Sequence, residues 1–313
     1  MRPWILTFVR MTAWGETRVT SERNTVNVVA PIAALVLSMI SLCVGTSFAK
    51  TLFGVAGPAG MTALRIGLSA LLLIAVQRPW RWRFDAGQAR VVIGYGVVLA
   101  CMNLSFYAAL ARLPLGVAIA IEFLGPLGVA VAYSRSRFDL VWVALAAGGI
   151  VALVLPGASG HPIDPVGVGF ALTAALFWAL YIIVGKHATA RVPERQIVCL
   201  GLCAASLIAV PAGIAQAGAA LLDVRVLLAG FVVAIFCSAL PYSLEMFAMK
   251  RLPNQVFGIV LSLEPAIGAA AAFAILGERL GGMQWLGMAS VVAASIGSTV
   301  SRPVPGPSDV PPV

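Results

Sequence analysis

Ten apolar runs follow one another almost without a break between residues 28 and 301, each close to the roughly 20 residues that cross a bilayer core as a helix. They cover residues 28–49, 57–77, 89–110, 114–134, 139–156, 164–186, 196–216, 226–249, 254–276 and 282–301. Such a chain has little polar surface to offer water. It is 60% hydrophobic and 11% charged, against roughly 25% charged in a soluble domain. If lipid is the solvent, every backbone N–H and C=O must be paired inside the protein, which leaves helices or a closed barrel. The runs show no period-two alternation, so the sequence predicts an all-α integral membrane protein with ten transmembrane helices.

The gaps between runs carry the charge. With the N-terminus in the cytosol, the cytosolic segments hold Arg2, Arg10, Arg18, Arg23, Arg78, Arg81, Arg83, Arg90, Arg135, Arg137, Lys186, Arg191, Arg195, Lys250, Arg251 and Arg302. The outer gaps hold only Lys50, Arg112, Arg225 and Arg279. This is the positive-inside pattern, and it places both termini in the cytosol. It also accounts for the net charge of +9 without a nucleic-acid partner, because no basic face carries interleaved aromatics. Residues 1–27 read as a cytosolic tail: the apolar stretch from Trp4 to Val9 is too short for a signal-peptide core, and no small-residue cleavage site follows. Met11 is an alternative start. Residues 302–313 hold five prolines and read as a disordered cytosolic tail. The five cysteines all fall inside apolar runs as small filler. His161 and His187 lie in connections, and no cluster has metal-ligand spacing, so neither a metal nor any other cofactor is expected.

One frame occurs twice. Arg112, Leu113, Pro114 and Pro126 recur as Arg251, Leu252, Pro253 and Pro265, at a constant offset of 139 residues. Ten runs then divide into a first repeat over residues 28–158 and a second over 164–301. Five helices per repeat inverts the second in the membrane, so Arg112 falls outside and Arg251 inside. Inverted repeats are an architecture of secondary transporters, whose two halves exchange conformations around a midplane site. Pro114, Pro126, Pro253 and Pro265, with Pro241 in the eighth run, are the expected helix-breaking or gating points.

A charge at mid-bilayer costs roughly 3 kcal/mol or more, so each one within a run needs a reason. At 1.5 Å per residue, Glu122 lies about 12 Å into its run and Glu264 about 15 Å into its own, with Arg65 at a similar depth. Each copy of the repeat carries one glutamate, three residues out of register, so the site is expected to be asymmetric. Glu122 is the expected substrate ligand and Glu264 the structural or gating partner. Arg65 is expected either to bridge a glutamate or to meet the substrate. Ser238, Tyr242 and Glu245 form a polar stripe beside Pro241. Asn103 and Tyr107 form a second, and Trp178 and Tyr181 a weaker third.

No HExxH, GxSxG, P-loop or GxGxxG is present, so neither an enzyme nor an ATP-driven pump is expected. Several stretches carry a resemblance: Met61-Thr-Ala-Leu-Arg65, Pro114 through Glu122-Phe-Leu-Gly-Pro126, Ser238-Ala-Leu-Pro-Tyr-Ser-Leu-Glu-Met246, Ser262-Leu-Glu-Pro265, Leu276-Gly-Glu278 and Ala293 through Thr299. On these the chain resembles the EamA branch of the drug/metabolite transporter superfamily, and within it the bacterial inner-membrane threonine/homoserine exporters. The resemblance covers roughly residues 30–301. It implies a fold of two inverted five-helix repeats, residence in the inner membrane and efflux of small amino acids. For such a substrate, a glutamate in the membrane would accept the ammonium, while Arg65 or the N-terminal amides of a broken helix would meet the carboxylate. Asn103, Tyr107 and Tyr242 would meet a side-chain hydroxyl. Exchange of a proton at Glu122 or Glu264 would drive transport. The same fold would also suit another amino acid, a nucleoside or an amphipathic toxin. Monomer and homodimer stay open.

Overall fold

The computed structural model describes residues 29–83, 85–132, 139–154 and 163–300. The expected tails at 1–27 and 302–313, Met11 and His161 lie outside the described residues. The helices are α1 (Val29–Thr51), α2 (Phe53–Gln77), α3 (Ala86–Leu110), α4 (Leu115–Glu122), α5 (Leu124–Ala132), α6 (Asp139–Val154), α7 (Pro165–Thr189), α8 (Glu194–Ala217), α9 (Val224–Ala234), α10 (Leu240–Arg251), α11 (Asn254–Leu261), α12 (Glu264–Leu276) and α13 (Gly282–Val300). Short 3-10 turns occupy Pro79–Arg81 and Gly218–Leu222, and a π turn at Ile235–Ala239 joins α9 to α10. No strand occurs among the described residues. Among the described residues, seven segments are long and apolar enough to cross a membrane, from Val29–Thr51 to Val256–Leu276, and the apolar segments Leu115–Val129 and Val141–Leu153 are shorter. Leu71, Leu207, Leu228 and Leu286 point outward and exposed, as an exterior facing acyl chains requires.

The two copies of the repeated frame fold alike. Pro114 and Pro253 each sit just before a helix of eight residues, with φ/ψ of −56°/142° and −54°/142°. Neither proline has a backbone N–H to leave unpaired, which suits it to a helix start. Both short helices end 139 residues apart, at Glu122 and Leu261, and Phe123 and Ser262 follow with almost the same angles. The cause lies four residues beyond each end. Pro126 and Pro265 supply no N–H to the carbonyls of Glu122 and Leu261, so the ladder is interrupted there.

Connections are pinned by side chains. Asp85 and Gln88 form a reciprocal capping box at the start of α3. Asp164 accepts from the Val166 amide at the start of α7 and from Arg112 Nη1 at 2.7 Å. The Arg112 guanidinium and that amide hold the Asp164 carboxyl below the usual carboxylate range. Glu194 at the start of α8 receives Lys250 at 2.6 Å and Arg251 at 3.5 Å from the end of α10.

Helix pairs meet through small residues. The most extensive packing is of α2 on α8, α3 on α7 and α6 on α13. At the α6–α13 crossing, a Cβ on Gly149 would lie 2.7 Å from the Gly287 carbonyl, and one on Gly287 would lie 2.5 Å from the Gly149 carbonyl. The two backbones therefore touch. Lipid offers no hydrophobic drive for helices to associate, so this close approach is what holds the pair. Gly94 in α3, by contrast, has open space where a Cβ would go. Gly287→Leu should destabilise the protein by about 1–3 kcal/mol, the usual cost of overpacking, whereas Gly94→Leu should not. Unfolding midpoints in detergent will distinguish the two.

Candidate functional site

The site forms where helices are broken. Glu122 is the last residue of α4 and Glu264 the first of α12. The three-residue offset between the acids thus places one just before its break and the other just after. Both are buried, at 7% and 6% exposure. Phe123, next to Glu122, packs edge-on against Trp178 with ring centroids 5.6 Å apart. Gly125 lies against the Ala175 carbonyl of α7. These contacts fix the direction in which Glu122 leaves its helix.

A third break lies across the cavity. Pro241 offers no N–H to the carbonyl of Cys237, and the π turn widens the backbone at the same place. Side chains from α1 and α2 take up carbonyls along this stretch. Arg65 Nη2 donates to Cys237 O at 3.0 Å, Ser41 to Phe236 O at 2.8 Å, Ser69 to Ala234 O at 2.7 Å and Ser38 to Pro241 O at 3.0 Å. Arg65 Nε also donates to Ser238 Oγ at 3.1 Å, and Nη2 to the Tyr242 hydroxyl at 3.2 Å. Its guanidinium lies 4.9 Å from the centroid of the Tyr107 ring. The expected bridge from Arg65 to a glutamate does not form: the ion pairs among the described residues join Lys50, Arg112, Lys250 and Arg251 to other acids. Arg65 neutralises no single carboxylate because its donors are aimed at carbonyls and hydroxyls.

These elements enclose a cavity of about 50 Å³. Glu122, Glu245, Glu264, Arg65, Asn103, Tyr242, Trp178 and Tyr181 line it, with walls from Leu35, Met39, Met102, Phe106, Ile119 and Leu261. The structure therefore brings together eight of the polar and aromatic residues singled out in the sequence. Glu245 faces inward with the other two acids. Ser238 and Tyr107 are not on the cavity wall; they stand behind Arg65 and hold it. Asn103 and Tyr242 are committed to each other: Asn103 Nδ2 donates to the tyrosine hydroxyl at 2.9 Å, and the hydroxyl donates to Oδ1 at 3.1 Å. Tyr181 is buried, with its ring 5.3 Å from that of Tyr95 and Glu245 beside it on the cavity wall.

Sequence reasoning missed the contribution of α1. Ser38, Cys43 and Thr46 also line the cavity. The signal was a set of hydroxyls, Ser38, Ser41, Thr46 and Ser47, inside an otherwise apolar run. It also missed Glu278. This residue pairs with Lys50 at 2.8 Å and accepts from the Leu115 amide at 2.7 Å, while Lys50 donates to Leu113 O at 2.7 Å. Glu278 thereby caps α4, whose own N-cap residue, Pro114, has no side chain to do so.

A lipid-facing helical bundle that gathers acids and an arginine around a cavity at its broken helices has the layout of a membrane transporter. The chain belongs to the EamA-like transporter family: residues 165–300 match the family, and full-length relatives extend the likeness. The threonine/homoserine exporter RhtA of Escherichia coli strain K12 is 44% identical over 271 residues, covering 87% of this chain and 92% of the relative. RhtA of Salmonella typhimurium strain LT2 is 43% identical over the same shares. A crystal structure 18% identical in sequence covers 86% of this chain and 98% of its own, with a TM-score of 0.57, and shares the fold.

Replacing Arg65 should be costly even by lysine. One ammonium cannot reach the acceptors on Cys237, Ser238 and Tyr242 together, and each buried acceptor left alone costs roughly 1–3 kcal/mol. Arg65→Lys should lower the thermal unfolding midpoint more than Ser41→Ala, which removes one donor. A smaller effect from Arg65→Lys would refute the capping role.

Proposed function

We propose that the protein exports small hydroxylated amino acids, threonine and homoserine among them, across the bacterial inner membrane in exchange for protons. One observation carries this reading: three carboxylates and an arginine share a single membrane-buried cavity, in a chain 43–44% identical to relatives named as exporters of these substrates.

The reading assigns roles by chemistry. Glu122 accepts the substrate ammonium. Arg65 meets the carboxylate. The Tyr181 hydroxyl faces the substrate side chain, since Asn103 and Tyr242 are already satisfied by each other. Glu264 stands at the start of α12, where the helix dipole favours negative charge. Glu122 stands at the end of α4, where the dipole opposes it. Glu122 is therefore the acid that alternates between proton and ammonium, and Glu264 the fixed charge opposite.

Alternating access would come from two inverted repeats, residues 28–158 and 164–301, with both termini in the cytosol. The packing supports this. The contacts of α3 with α7 have their counterpart in α9–α10 with α1, and those of α3 with α8 in α9 with α2. The pairs α2–α8 and α6–α13 map onto themselves. A cavity of about 50 Å³ has room for a few waters at roughly 10–15 Å³ each, so substrate enters only as the broken helices part.

Counterflow of labelled threonine and homoserine into proteoliposomes, with and without a pH gradient, tests the proposal. Saturable counterflow accelerated by the gradient is expected. Glu122→Gln should reduce it at least ten-fold and flatten its dependence on pH, whereas Glu264→Gln should leave part of the pH response. Unchanged threonine transport in Glu122→Gln at every pH would rule out the coupling role. Counterflow of other metabolites alone would redirect the substrate assignment.

A further inference from the structure

A second, larger hollow lies outside the transport cavity. It is a groove of about 820 Å³ between α2, α3, α8 and α9, open to the side of the bundle. Its walls are almost wholly apolar, from Leu71 and Ile74 on α2 and Ile93 on α3 to Leu207, Val210 and Ile214 on α8. Along α2 it runs from Ala63 to Ile74, about 16 Å at 1.5 Å per residue. That matches one leaflet, half of a hydrocarbon core about 30 Å thick.

The end of the groove near Ile74 and Ala89 is rimmed with positive charge. The α2–α3 connection carries Arg78, Arg81 and Arg83, and Arg90 follows in the first turns of α3. All four are exposed, and the ion pairs among the described residues include none of them. Asp85, the acid among them, is committed to the Gln88 amide. The Pro79–Arg81 turn also packs on α8, so this rim spans both walls of the groove. Trp80 is exposed beside it, as expected at the headgroup level.

We infer that this groove is a binding site for an anionic phospholipid, with acyl chains along α2 and α8 and the headgroup phosphate held by Arg78, Arg81 and Arg90. An apolar trough in a membrane is filled by acyl chains whatever the headgroup. The unpaired arginines at one end are what select charge, since the guanidinium fork matches phosphate geometry. The site rests on no assumption about what the central cavity transports.

Native mass spectrometry of the full chain, equilibrated with equal amounts of phosphatidylglycerol and phosphatidylethanolamine of the same acyl composition, tests this. At least five-fold preferential retention of phosphatidylglycerol is expected. The variant Arg78→Ala/Arg81→Ala/Arg90→Ala should retain the two lipids about equally. Leu71→Trp/Leu207→Trp, which fills the groove from exposed positions, should lower retention of both. Phosphatidylglycerol should also raise the unfolding midpoint of the wild type and not that of the arginine variant. Equal retention by the wild type, or an undiminished preference in the arginine variant, would overturn the assignment. So would cross-linking of two copies through Ser206→Cys, which would give the groove to a second chain.

Discussion

Lipid offers no water to pair a stray backbone group in a membrane helix, and the site is built on that constraint. Each proline within a span leaves a carbonyl four residues earlier without its donor. Around Cys237 the vacant donor positions are filled from α1 and α2, chiefly by Arg65. The arginine is thus held in place by the break, and the break is made tolerable by the arginine. Its side chain also lines the cavity. A cation serving only as counter-ion to a glutamate would have no such reason to be an arginine.

The same logic explains how much the sequence disclosed. The helix-forming runs were legible because lipid demands about 20 apolar residues for each crossing, and the run limits lie close to the helix ends at Gln77, Leu110 and Leu276. The acids of the site were legible because a charge in a run is conspicuous against its neighbours. Arg65 was conspicuous too, but its partners were not: a backbone carbonyl carries no mark in a sequence, so a salt bridge was the natural expectation. Ser38 and Thr46 escaped notice because a hydroxyl in a membrane helix commonly bonds its own backbone, as Ser47 does to Cys43 O. Tyr107 and Ser238 were recognised as polar, and the structure sets them against Arg65 and off the cavity wall, a depth that helical spacing does not give.

The repeated frame also clarifies why the two central acids differ. One frame, applied twice, would set equivalent residues in equivalent fields. Moving the acid three residues across the break exchanges the carboxyl end of a short helix for the amino end of another. The environments then differ although the backbones match. Asymmetry arises from register and needs no departure from the repeat.

Prolines at 126, 241 and 265 have a mechanical consequence. An intact helix resists bending because its hydrogen bonds must stretch; a helix that lacks a bond at one point is compliant there. Three such points surround one cavity, so the bundle has compliant joints where its cargo would sit, besides those at Pro58 in α2 and Pro211 in α8. Bending at each of these joints has one backbone hydrogen bond fewer to stretch. The joints are fixed by covalent structure, and temperature or membrane tension can change how far they flex but not where.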